Sequence, residues 1–218
     1  MTVIKTMASS EPVIKPLDSI QSLMAAFSPY AIEVKGRGKN SELFLCNSDN
    51  EMIVLLLIEG VIDCHRKIDN LLFASVEAPG ILGLQGSAFR YASYEFTCTQ
   101  ESKILALPLE KAINLIYEHR LLHDLINYQS YLSDYHAQRI NILVNRSNYE
   151  IICGLIIELD KIPLEKRRKT SLSNYILLRS NLARSGVMAI ISALRTGEYI
   201  KIENGKLIGI LKKFPDKY

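Results

Sequence analysis

The amino-acid sequence predicts an α+β protein with an N-terminal antiparallel β-roll of the jelly-roll type, a long helix, and a C-terminal winged helix-turn-helix. Three observations lead to this fold class. Short apolar runs separated by turn residues fill 31–108, helical periodicity then extends to about residue 145, and two further helical patterns precede a hairpin near the C-terminus. Such changes of period indicate separate β and α parts in one chain.

Length and composition fit an ordered protein of two domains. The chain has 218 residues, of which 48% are hydrophobic and 22% are charged, so it can bury two cores of moderate size. The longest apolar run, 52–58, is far shorter than the roughly 20 residues that a transmembrane helix needs. The N-terminus does not have the pattern of a secretion signal. We therefore expect a cytoplasmic protein without a membrane partner.

The first part of the chain is predicted to be a flexible arm over 1–16 and a sensor-like β-roll domain over 17–108. The arm has no apolar period. The roll domain begins with an amphipathic helix over 17–27, which the pair Ser28-Pro29 ends. Turn residues such as Gly36 and Gly38 separate the predicted strands. These strands are 43–46, 52–59, 61–66, 71–77, 94–99 and 103–107.

A long dimerisation helix is predicted over 109–145, with one break near Arg120. Its second part has the alternating spacings of four and three that form the a/d repeat of a coiled coil. We expect this stripe to be the seam of a homodimer, formed by Leu121, Leu125, Tyr128, Leu132, Tyr135, Arg139 and Ile142. Arg139 would need a partner or a route to water. The alternative is a helix that packs on its own roll, and Leu122, Ile126 and Ile140 indicate that it does so in part.

Charge is unevenly distributed along the chain. Residues 1–145 contain 12 Lys and Arg against 16 Asp and Glu, a net charge of −4, whereas 146–218 contain 14 against 7, a net charge of +7. A positive module suits attachment to a phosphate backbone, because each neutralised phosphate releases counterions. A helix is predicted over 148–160, near the start of this basic part. The basic cluster that follows is predicted to lie in a loop, is a candidate phosphate contact and comprises Lys166, Arg167, Arg168 and Lys169.

A winged helix-turn-helix DNA-binding domain is predicted over 146–218. Its first short helix follows Ser171, and its second helix begins near Ala183. The turn between them is formed by further candidate DNA contacts, Arg179, Ser180 and Asn181. On the second helix, apolar residues share one side and are expected to be buried, namely Val187, Ile190, Ile191 and Leu194. The free side then carries the main candidate DNA contacts, Arg184, Ser185, Gly186, Met188 and Ala189.

The second helix is predicted to end at Gly197 and to lead into a wing. Two alternating runs flank the pair Asn204-Gly205, which predicts a hairpin because a type I′ turn requires positive φ at both central residues. Lys201 and Lys206 on this hairpin are candidate phosphate contacts. Arg184 lies at the helix end that enters the major groove in helix-turn-helix proteins, so we expect it to contact guanine in double-stranded DNA.

Several of these segments resemble known families. The layout of roll, long helix and winged helix resembles the Crp/Fnr superfamily of bacterial regulators from about Leu17 onward. Two regions are similar to the family called inhibitor of hydrogen peroxide resistance, and they comprise 77–79 with 83–84 in the roll, and 174–176, 179–180, 184–185, 187, 193–195, 197, 199–200, 205–208 and 215–218 near the C-terminus. The resemblance implies a roll like a cyclic-nucleotide-binding domain and DNA binding as a dimer at a palindromic site. It also suggests a link to stress responses.

The resemblance does not extend to cyclic-nucleotide binding. In members that bind a cyclic nucleotide, a Gly-Glu pair holds the ribose, and an Arg-Ser pair holds the phosphate. Here the corresponding stretch 80–84 has no carboxylate, and Tyr91 follows Arg90. A buried ribose hydroxyl without its acceptor loses roughly 1–3 kcal/mol. We therefore expect no response to cyclic AMP, and the sequence leaves the small-molecule effector open.

No cofactor, metal or catalytic site is expected. The four cysteines have no C-x-x-C spacing, and nothing near Cys46, Cys64 or Cys98 would lower a thiol pKa. His119 and His123 are four residues apart, but a third ligand for a metal or haem is not evident. The chain also lacks the motifs of the common enzyme classes.

One alternative function stays open. Gly186 and Ala189 are small, whereas other members of the superfamily have larger or charged residues there. The chain could therefore be a non-enzymatic adaptor that binds a ligand or protein and has a degenerate winged helix.

Overall fold

The computed structural model describes residues 13–34, 41–47, 49–86, 88–98 and 101–215. Chain contacts divide them into two compact units, Val13–Tyr135 and the described residues from His136 onward. Most of the predicted arm, Gly36, Gly38 and Thr99 lie outside the described residues.

The first unit contains a roll of two four-stranded antiparallel sheets, which confirms the predicted fold class. One sheet has the order β1 (Ile32–Val34), β8 (Lys103–Pro108), β3 (Ile53–Glu59) and β6 (Gly80–Leu82). The other has the order β2 (Ser41–Leu43), β7 (Tyr94–Cys98), β4 (Val61–Arg66) and β5 (Leu71–Glu77). Helix α1 (Leu17–Phe27) precedes the roll, and α2 (Ala88–Ser93) leads into β7.

The strand predictions are correct for the long strands and incomplete for the short ones. The predicted strands 61–66 and 71–77 have the observed bounds, whereas the predicted strand 43–46 is wrong because β2 ends at Leu43. Cys46 forms only an isolated bridge with Met52. The strands β1 and β6 were not predicted, because three residues are too few to show a period.

The core of the first unit joins α1 to one sheet of the roll. Ile20, Leu23 and Phe27 of α1 are fully buried and lie in one cluster with residues of β3, β6 and the following helix, α3 (Leu109–Glu118). The apolar spacing of α1 places these side chains on one face, so burial of that face holds the helix on the roll.

The long helical region breaks where the sequence predicts it. Helix α3 ends at Glu118, Arg120 has a φ of 58°, and α4 (Leu122–Leu143) then begins. His119 is the C-cap of α3, so it and His123 do not share one helix. The described residues contain no group of three possible metal ligands. Within the same residues, none of the helices is long and apolar enough to cross a membrane.

The second unit is built around α5 (Asn148–Asp160). Ser147 and Glu150 form a capping box at its start. The elements that follow are α6 (Leu164–Arg167), α7 (Leu172–Ser180), α8 (Arg184–Thr196), β9 (Ile200–Glu203) and β10 (Lys206–Ile210). Apolar side chains of α5, α7, α8 and the two strands form one core. The predicted helix over 148–160 has the observed bounds, whereas α6 was expected to be a loop.

Candidate nucleic-acid interface

The turn between α7 and α8 is stabilised by local hydrogen bonds. The Ser180 hydroxyl donates to the carbonyl of Ile176 at 2.7 Å and accepts from the amide of Leu182 at 3.4 Å. Asn181 has a φ of 52°, which ends α7 in the left-handed conformation that asparagine tolerates well. The predicted turn residues therefore fix the direction in which α8 leaves α7.

Helix α8 has one buried and one exposed face. Val187, Ile190, Ile191 and Leu194 are buried in the core of the second unit. All five residues predicted as base contacts are exposed, namely Arg184, Ser185, Gly186, Met188 and Ala189. The exposed face continues to Ser192, Arg195 and Thr196, which the sequence analysis did not include. Continuing the spacing of four and three from Ser185 would have found them.

The start of α8 has no side-chain cap. Ala183 is the N-cap, and its methyl group cannot accept a hydrogen bond from the first-turn amides. Amides at a helix start that lack a partner within the helix can donate to an anionic oxygen, and the helix dipole favours negative charge there. The exposed end of α8 is thus suited to a phosphate group as well as to base edges.

Helix α8 ends as predicted, with Gly197 as its C-cap, but the left-handed conformation lies one residue later. Gly197 has a φ of −75°, and Glu198 is the left-handed residue, with a φ of 57°. A Cβ atom on Gly197 would lie 2.7 Å from a ring carbon of Tyr199. A larger residue at this position would therefore have to displace the Tyr199 ring, whereas the backbone conformation of Gly197 is open to any residue.

The wing is the predicted hairpin. Asn204 and Gly205 have φ values of 50° and 74°, which fits the predicted type I′ turn. The carbonyl of Gly205 accepts from the amide of Leu172 at 3.0 Å, so the wing tip is joined to the start of α7. Lys201 pairs with Glu203 at 3.0 Å. The Lys206 ammonium donates to the carbonyl of Lys169 at 3.3 Å.

The basic cluster after α5 is exposed only in part. Lys166, Arg168 and Lys169 are exposed, but Arg167 is buried. The Arg167 guanidinium donates to the carbonyls of Asp160 and Ile208, each at 2.7 Å, and pairs with the Asp160 carboxylate. The prediction that Arg167 contacts phosphate is therefore wrong, because its guanidinium joins the end of α5 to β10.

A second buried arginine contacts the last turn of α7. Arg139 of α4 is 1% exposed. Its guanidinium pairs with Glu158 of α5 at 3.0 Å and donates to the carbonyl of Arg179 at 3.3 Å. The Tyr175 hydroxyl donates to the same Glu158 carboxylate, and the Arg179 guanidinium lies 4.0 Å from the centre of the Tyr175 ring. This network joins α4, α5 and the last turn of α7.

Most residues of the predicted dimer stripe pack on the protein's own cores. Tyr128 is buried, and its hydroxyl donates to the carbonyl of Ile81. Leu121, Leu125 and Leu132 pack on the core of the first unit, and Ile142 packs on the core of the second. Tyr135 is half-buried. Tyr128 and Arg139 therefore have to be removed from the predicted seam, since their side chains are already covered within one chain.

The opposite stripe of α4 is exposed. Leu122, Ile126, Ile140 and Val144, just past the helix end, are 60%, 54%, 55% and 60% exposed. Between Ile126 and Ile140, the exposed stripe continues through Ser130, Ser133 and Ala137. The expectation that Leu122, Ile126 and Ile140 pack on the roll is wrong, because all three are exposed and the other stripe of α4 is the one that packs on the cores of the two units.

The residues that correspond to the phosphate-binding pair of nucleotide-binding members lie in α2. The backbone of Arg90 and Tyr91 lies in α2, but their side chains are outside the described ones.

Burial raises the pKa of the Cys98 thiol, and it raises that of Cys153 to about 11. A raised pKa keeps both thiols protonated and unreactive at neutral pH.

Comparisons with known proteins agree with this architecture. Residues 148–216 match the family model described as winged helix-turn-helix DNA binding. The chain is 28% identical over 207 residues to the inhibitor of hydrogen peroxide resistance of Escherichia coli, which covers 94% of this chain and 99% of that protein.

Two solved structures show the same fold. A cyclic nucleotide-binding domain containing protein from Listeria monocytogenes has a TM-score of 0.64 at 14% identity, covering 89% of this chain and 97% of that one. A transcriptional regulator of the CRP/FNR family from Thermus thermophilus has a TM-score of 0.52 at 15% identity, covering 84% of this chain and 93% of that one. The predicted resemblance to the Crp/Fnr superfamily is thus confirmed at the level of fold.

Proposed function

We propose that this chain, which has the fold of the Crp/Fnr regulators and a C-terminal winged helix-turn-helix, is a dimeric transcription regulator that binds double-stranded DNA sequence-specifically. It acts by binding and not by catalysis. The observation that carries the proposal is the exposed face of α8, which begins at Arg184 and lies in the basic part of the chain. A net charge of +7 over 146–218 supports attraction to the phosphate backbone.

Selection from a genomic DNA library tests the proposal. We expect enrichment of a palindromic site, since a two-fold symmetric dimer presents two copies of α8. The alternative function, a ligand- or protein-binding adaptor with a degenerate winged helix, would give weak binding to all sequences that modest salt abolishes. The name of the Escherichia coli relative supports a role in the response to peroxide stress. Comparing promoter occupancy in cells with and without peroxide examines that role.

Arg184→Ala is expected to relax base preference at one position of each half-site. A guanidinium that donates two hydrogen bonds to guanine contributes about 1–3 kcal/mol of discrimination. The measurement is the affinity of wild type and variant for the selected site and for sites with each base at every position.

Lys169→Ala serves as the control for Arg184→Ala, because Lys169 is an exposed cation outside α8. It should weaken binding to all sequences alike. Equal losses on specific and random DNA for Arg184→Ala would contradict the role proposed for Arg184.

The proposed dimer seam is the exposed stripe of α4. Its residues follow each other at spacings of four and three and comprise Ile126, Ser130, Ser133, Ala137, Ile140 and Val144. Small residues at its centre allow two helices to approach closely, while the apolar residues at its ends lose solvent contact on pairing. The proposed seam has the coiled-coil spacing predicted from the sequence, but it lies on the opposite face of α4.

Ile140→Glu is expected to convert the dimer into a monomer at micromolar concentration. The substitution places a charge from each chain in the proposed seam, where burial of an unpaired carboxylate is costly. Sedimentation equilibrium measures the change. Ile157→Glu is the matched control, because Ile157 is 43% exposed on α5 and lies outside the seam. A wild-type chain that is already monomeric would contradict the dimer, and an unchanged dimer in Ile140→Glu would contradict this seam.

A further inference from the structure

The exposed face of α8 offers a restricted set of chemical groups for base recognition. Asparagine and glutamine pair with adenine, and aspartate and glutamate pair with cytosine, but Arg184–Thr196 contains none of these four residue types. The helix can therefore offer the major groove only arginine, hydroxyl and apolar groups. The apolar members of the exposed face near its start are Met188 and Ala189.

Met188 lies outside the buried core of its domain. Its side chain is 45% exposed, while the core side of α8 is filled by Val187, Ile190, Ile191 and Leu194. At Gly186, three residues before Ala189, the place that a Cβ would take has no atom within 4 Å apart from adjacent residues and the backbone of its own helix. Side chains on this part of α8 are thus open to a partner, and Met188 is the largest apolar group among them.

The only apolar group that an unmodified base pair presents in the major groove is the 5-methyl of thymine. We infer that Met188, together with Ala189, contacts thymine methyl groups and thereby specifies thymine beside the guanine bound by Arg184. This inference rests on the proposed function. Arg184 and Met188 are one helical turn apart, so their Cβ atoms are separated by about 5–6 Å. Since successive bases are about 3.4 Å apart, the thymine lies one or two base steps from the guanine.

Replacement of thymidine by deoxyuridine tests the inference directly, because it removes only the methyl group. Each thymine of the selected site is replaced singly, on either strand, and the affinity of the full chain is measured at one salt concentration. Loss of one buried methyl contact corresponds to about a fourfold weakening. We expect this loss at one or two positions near the guanine in each half-site, and no loss elsewhere. Replacing the same thymine by 5-methylcytosine should retain more affinity than replacing it by cytosine.

The variant Met188→Ala separates direct contact from an effect of the methyl group on DNA shape. In this variant, deoxyuridine should cause little further loss at the sensitive position, since a double-mutant cycle isolates the pair. Ile157→Ala is the control, because Ile157 is apolar, similarly exposed at 43%, and outside the helix-turn-helix. It should keep the full deoxyuridine effect.

The outcomes distinguish this inference from the proposed function. A selected site with no deoxyuridine-sensitive position would overturn the methyl contact and leave sequence-specific binding intact. A sensitive position that Met188→Ala does not affect would also overturn the role of Met188. A library selection that enriches no site would overturn the proposed function, and this inference with it.

Discussion

Glu158→Ala is expected to lower the free energy of unfolding of the second unit by about 3 kcal/mol. The variant leaves the Arg139 guanidinium, only 1% exposed, without its carboxylate, and removal of one partner of a buried ion pair usually costs about 3–5 kcal/mol. The lower value is chosen because the Glu158 side chain is itself 18% exposed. Urea denaturation of the full chain, followed by circular dichroism, measures the change.

Two further variants make this result specific. Glu203→Ala removes a carboxylate of an exposed pair on the wing and should change stability by less than about 1 kcal/mol. The double variant Arg139→Met with Glu158→Leu removes both charges and should recover part of the loss, because well-packed apolar residues can replace a buried pair. The recovery is partial because the Tyr175 hydroxyl still loses its acceptor. A loss in Glu158→Ala no larger than that in Glu203→Ala would show that Arg139 does not depend on this partner.

Arg167→Ala is expected to destabilise the second unit by a similar amount, about 3 kcal/mol. Its guanidinium donates to Asp160 and Ile208, so the variant leaves these carbonyls and the Asp160 carboxylate without that donor. The wing is then held less firmly against α5. Thermal and urea unfolding of the full chain measure the loss.

The neighbouring Arg168→Ala is the matched control for Arg167→Ala. Arg168 is exposed, so its removal should change stability by no more than about 0.5 kcal/mol. If Arg168 contacts a phosphate, its loss should reduce the slope of log affinity against log salt by about 0.9. A stable Arg167→Ala variant that lost affinity for all DNA would restore Arg167 to the phosphate contacts.

Local patterns predicted most of the fold correctly. The bounds of α1, α5, β4 and β5 follow from apolar period and from end signals such as the pair Ser28-Pro29. Elements without such a period were missed, including the short strand β6 and the short helix α6. These elements form because the surrounding structure supplies their partners, as β3 does for β6.

The long helix shows what an apolar period can predict and what it cannot. Its sequence contains two stripes with spacings that suit a coiled coil, one largely apolar and the other with small residues at its centre and apolar residues at its ends. Periodicity indicates which residues share a face, but it does not indicate which face meets the chain's own core. Tyr128 determines that choice in the first unit, because its hydroxyl meets the Ile81 carbonyl and its ring enters the core.

The sequence by itself determined the kinds and order of the longer elements, the hairpin wing and the exposed face of α8. Hydrogen-bond geometry, turn chemistry and side-chain period act over a few neighbouring residues, so these features are visible in the sequence. Only the tertiary structure decided which stripe of α4 is exposed and which arginines are buried. Arg139 meets Glu158 and Arg179, and Arg167 meets Ile208, through contacts between distant parts of the chain. No local pattern distinguishes such an arginine from an exposed neighbour like Arg168, because burial depends on the packing of the whole unit.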